Sequence, residues 1–130
     1  MSFHSCWVLK PKPGEPFLPQ DEVLDRLAIA FPVAEFDAEG ARAGAAKRLE
    51  ILEKLGAPEV ILDSYRGTPP VGCRIAEAAD APYSLEFHVW PDQAIMVSFA
   101  NEPHFKACFF LLDDMAELLG YELEEDTEVS

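Results

Sequence analysis

Strict alternation between Tyr83 and Phe99 constrains this chain more than any other feature. Tyr83, Leu85, Phe87 and Val89 share one face of an extended backbone, and Ser84, Glu86, His88 and Trp90 share the other. After Pro91-Asp92-Gln93 the pattern resumes, with Ile95, Val97 and Phe99 on one face and Met96, Ser98 and Ala100 opposite. A period of two over this length specifies two strands with one buried face. A three-residue turn pairs Val89 with Ile95, Phe87 with Val97 and Leu85 with Phe99. A slip of one residue sets apolar against polar side chains, so the pattern predicts a hairpin in this register.

The period then changes. Phe105, Cys108, Phe109, Leu112, Met115, Ala116 and Leu119 recur at helical spacing. Asn101 is suited to cap the helix N-terminus, Pro103 is tolerated in the first turn, and Gly120 sits where a left-handed C-cap belongs. The helix stripe is expected to lie on the apolar face of the hairpin. That leaves Glu86, His88, Trp90, Met96 and Ser98 on the opposite face.

The rest of the chain fits around this unit. Residues 3–10 read as a strand, 19–31 as a helix ended by Pro32, and 33–36 as a short strand. Asp37 caps a second helix to Leu55, rich in Ala and Gly in its first half and stopped by Gly56 and Pro58. Val60–Tyr65 is a strand by composition, and Val71–Ala76 reads as another short strand, weakened by Gly72. Tyr121–Glu124 can add a last strand before a flexible acidic tail over 124–130. The order predicts one α+β domain over 1–130, a mainly antiparallel sheet with about three helices packed on one face.

Charge narrows the partners. The net charge is −14, and it is unevenly placed. Residues 1–74 carry nine basic and eleven acidic side chains, whereas residues 75–130 set Lys106 alone against thirteen acidic ones. Such a field repels nucleic acid and anionic membranes and attracts basic proteins. Three scattered cysteines, with no charged-then-apolar leader, predict reduced thiols in a cytoplasmic protein.

Motifs for chemistry are sparse. There is no CxxC, HxxxH or HExxH spacing for a metal, no glycine-rich phosphate loop and no GxSxG. No catalytic residue, metal site or cofactor is assigned. The expected function is that of a non-enzymatic protein-binding module, immunity-like or inhibitor-like, whose acidic C-terminal half (Glu122, Glu124, Glu125) meets a basic protein partner. The alternative is a small enzyme or small-molecule-binding domain. It would use the Glu86/His88 face, where a carboxylate beside a histidine suits proton transfer, or the Arg66 loop, which suits an anion. A homodimer through Trp90 and Met96 is a third reading.

Overall fold

A computed structural model describes residues 3–126. The elements run β1 (Ser5–Pro11), α1 (Gln20–Ala30), β2 (Val33–Phe36), α2 (Ala38–Lys54), α3 (Glu59–Arg66), β3 (Val71–Ala76), β4 (Leu85–Val89), β5 (Ile95–Phe99), α4 (Glu102–Leu119) and β6 (Tyr121–Glu125). The class is α+β, with two three-stranded antiparallel sheets instead of one, ordered β5-β1-β6 and β2-β3-β4, and four helices instead of three.

The expected hairpin ladder does not form. β4 pairs with β3, setting Phe87 against Cys73, and β5 pairs with β1, setting Val97 against Trp7. β4 and β5 run beside one another, each at the edge of its own sheet. The facing is nonetheless as the alternation requires, since Leu85, Phe87, Val89, Ile95, Val97 and Phe99 are all buried. Alternation sets which way a side chain points; it does not choose the strand alongside.

α4 joins the two sheets. Its Cys108, Leu111, Leu112, Met115 and Leu119 are buried in the same core as the inner faces of both sheets. The caps are those read from the sequence. The Asn101 side chain accepts the His104 backbone N–H at 2.7 Å, and Gly120 adopts φ +69°. His104 is fixed further by stacking on Tyr83 and by a 2.9 Å hydrogen bond from Nε2 to the Ser84 carbonyl. α1 covers the core beside α4 through Val23, Leu24 and Leu27.

α2 and α3 pack chiefly on each other, so the helices do not all lie on one sheet face. Val60–Tyr65, read as a strand, belongs to α3. β-branched composition suggested extended chain, but Pro58 at the N-cap and Glu59 in the first turn start a helix. Only Leu62 of α3 is buried, and Val60 is 77% exposed. The flexible acidic tail expected over 124–130 is ordered at its first three residues. Glu124 and Glu125 pair with Val8 and Trp7 in β6, and the Asp126 N–H donates to the Cys6 carbonyl at 2.8 Å. Residues 127–130 of that tail lie outside the described residues. No described helix is long and apolar enough to cross a membrane.

The two helix-interior glycines of α2 have different reasons. A Cβ at Gly40 would stand 2.3 Å from Asp37 Oδ2, the side chain that caps the helix through the Gly40 N–H. A Cβ at Gly44 would meet nothing within 4 Å. Urea unfolding of Gly44→Ala should show a gain of about 1 kcal/mol. Gly40→Ala should show no such gain, because displacing the cap costs about 1 kcal/mol. Equal stabilisation by both variants would contradict the capping geometry.

Candidate functional site

The strands present an outer face that none of the helix stripes covers. In the β2-β3-β4 sheet it carries Glu35, Gly72, Arg74, Glu86 and His88, with Trp90 just past the end of β4. In the β5-β1-β6 sheet it carries Met96 and Ser98, then Val8 and Lys10, then Glu122 and Glu124. Trp90 is 40% and Met96 53% exposed. Met96 lies in register with Val8, and Val8 with Glu124, so these three run across one sheet. His88 lies opposite Gly72, and Met96 is not its ladder neighbour. Even so, Glu86, His88, Trp90 and Met96 together line a cavity of about 300 Å³ between β4 and β5. A broader one, about 650 Å³, opens over Glu35, Gly72, Arg74 and the same Glu86 and His88.

Six of the eight residues singled out from the sequence therefore share one surface. Glu125 has the opposite phase, that of Tyr121 and Leu123. Arg66 lies at the end of α3, bound to Glu59 at 2.8 Å and also to Asp63. Its hydrogen bonds to Glu59, then Asp63, hold its pKa above the ordinary arginine value. An arginine shared between two carboxylates is not poised for an anion.

Ion pairs divide the outer face. Arg74 bonds Glu35 at 3.1 Å and donates from Nε to Ser84 Oγ. Lys10 bonds Glu124, whose hydrogen bond and charge raise the lysine pKa. Glu86 and Glu122 form no ion pair within the described residues, though each lies opposite a cation in its ladder, Arg74 and Lys10 respectively.

No hydrogen bond links His88 to Glu86 among the described residues. Cys73 is buried beneath the face, its Sγ donating to the Val71 carbonyl at 3.6 Å, and burial pushes its thiol up to about 12. Burial, and secondarily the charge of Glu77, also raises Cys108. No group of three or more His, Cys, Asp or Glu side chains is placed to hold a metal ion among the described residues.

Sequence reading missed a second concave region, behind Trp90 and between α2 and α3, which Arg48 lines. The available signal was spacing: positions 40, 44 and 48 fall on one helical face, two of them glycines.

The thiols allow a direct check. At pH 8 a thiol titrating near 12 is about one part in ten thousand thiolate. Native protein should therefore leave Cys73 unmodified by iodoacetamide while urea-unfolded protein is alkylated readily, as read by mass spectrometry. Rapid native labelling of Cys73 would contradict its burial. Comparison of the chain with protein-family models, with curated proteins and with solved structures finds no match.

Proposed function

We propose that this protein is a non-enzymatic protein-binding module, immunity-like or inhibitor-like, that meets a basic protein partner with the open face of its two sheets. One observation carries the reading. Trp90 and Met96, both substantially exposed, lie with Glu86 over the two middle strands of a face whose outer strands carry Glu35 on β2 and Glu122 and Glu124 on β6. Large apolar side chains inside a charged rim have the anatomy of a protein interface. A carboxylate rim on a chain of net charge −14 steers basic surfaces and repels phosphates, which favours a protein over a nucleic acid. The buried, free thiols of Cys6, Cys73 and Cys108 suit a reducing, cytoplasmic setting.

Two other readings are weaker. Self-association through Trp90 and Met96 would bring two copies of the same acidic margins together, which disfavours it. An enzyme or small-molecule site over Glu86 and His88 has concavity in its favour, but the two side chains do not engage each other.

Immobilised protein should retain a basic protein from its source lysate at low salt and release it as ionic strength rises. Against that partner, Trp90→Ala should cost about 2 kcal/mol, mainly through faster dissociation. Glu86→Gln with Glu122→Gln should slow association and flatten its salt dependence. A partner that binds all of these variants as well as the wild type would sink the assignment of this face.

A further inference from the structure

The cavity behind Trp90 encloses about 580 Å³, within the range of small-molecule sites, roughly 300–1,000 Å³. The small-residue face of α2 forms one wall, Tyr65 and the 67–70 loop form the other, and Trp90 stands at the margin. Three observations distinguish it from an incidental crevice.

The first is Arg48. The other four arginines are each tied to a carboxylate: Arg26 to Glu22, Arg42 to Asp21, Arg66 to Glu59 and Asp63, Arg74 to Glu35. Arg48 has no such pair among the described residues. Its guanidinium carbon lies 5.9 Å from the centroid of the Tyr65 ring, a cation–π contact that positions the group at the cavity wall. In so acidic a chain, an arginine without a carboxylate is a cation left available. Its planar fork matches a carboxylate.

The second is a brace. Gln20 is 6% exposed, and its Nε2 donates to the carbonyls of Pro69 and Val89, both at 2.9 Å. One buried amide thus holds the loop wall and the strand end that carries Trp90, so the cavity is preformed.

The third is Gly44. It weakens α2, and no neighbour requires it, since a Cβ there meets nothing within 4 Å. What its missing side chain does is deepen the cleft.

The geometry points to a binding site for a planar aromatic monocarboxylate, with the carboxylate on Arg48 and the ring against Trp90 and the loop prolines. A monoanion is favoured over a phosphate because Arg48 is the single cation among the residues that line the cavity. The proposal does not rest on the partner reading, although the cleft and the open face share Trp90.

The test is a titration of 15N-labelled protein with 2-naphthoate. Saturable shifts are expected at the amides of Gly44, Arg48 and Thr68 and at the Trp90 indole N–H. Arg48→Gln should weaken binding roughly tenfold or more. Gly44→Leu, which fills the cleft, should abolish it. Lys47→Gln removes one positive charge from the same helix outside the cavity and should bind like the wild type. The spectra of the variants report whether each is folded. Shifts that do not saturate in the folded wild type would overturn the proposal, as would a folded Arg48→Gln or Gly44→Leu variant that binds as tightly as the wild type.

Discussion

The structure depends on one packing contact, the apolar stripe of α4 laid against two sheets that share no ladder hydrogen bonds. β4 and β5 each end a sheet, and what joins those sheets is side-chain burial. Leu112 and Met115 lose all their exposure in this joint, as do Leu9, Leu85 and Phe99 from the strands. Each such side chain stabilises by about 1.5–3 kcal/mol before entropy is subtracted. Aromatic contacts extend the joint toward the start of α4, where Phe105 and Phe109 meet Trp7 and Phe105 also meets Phe99. Because α1 and α4 together bury the inner face, the outer face is left to solvent. The candidate partner surface is thus a by-product of where the core had to be.

That arrangement explains what could be read in advance. Inward and outward phases are local properties, so the buried set from Leu85 to Phe99 and the exposed set from Glu86 to Ser98 were both legible. The caps of α4 were legible for the same reason, since Asn101 and Gly120 act on their own helix. Strand partners were not. β1 and β3, which flank β5 and β4, lie elsewhere in the chain, and a two-residue period carries no address. α3 was misread because Val60 and Ile61 favour extended chain, while the helix start at Pro58-Glu59 is a weaker signal. The cleft was lost with it, since one of its walls is α3. Arg66 drew attention in its place by standing next to Gly67, yet two carboxylates occupy it.

Charge and packing meet at Trp90. Its ring borders the open face and the cleft, and its backbone follows Val89, whose carbonyl Gln20 holds. Arg42 extends this bracing, reaching Asp21 at 2.8 Å from α2 and so tying that helix to the start of α1. The two surfaces are therefore not mechanically separate, and a ring lodged in the cleft bears on the residue at the centre of the open face.

The order of strands also sets an order of events. β2, β3 and β4 follow one another in the chain and pair as neighbours, so their sheet can close as soon as β4 has been made. Among the described residues β1 pairs with β5 and β6 alone. On the ribosome it emerges before both of these strands and stays without them until β5 has been made. During that interval Cys6, Trp7, Val8 and Leu9 form an unpaired apolar edge, the kind of segment that recruits other nascent chains. The proline-dense stretch after β1, with prolines at 13, 16 and 19, cannot extend that edge. The loop that seats Phe17 and Leu18 against Tyr121 in the finished fold thereby also limits how far a stray strand can grow.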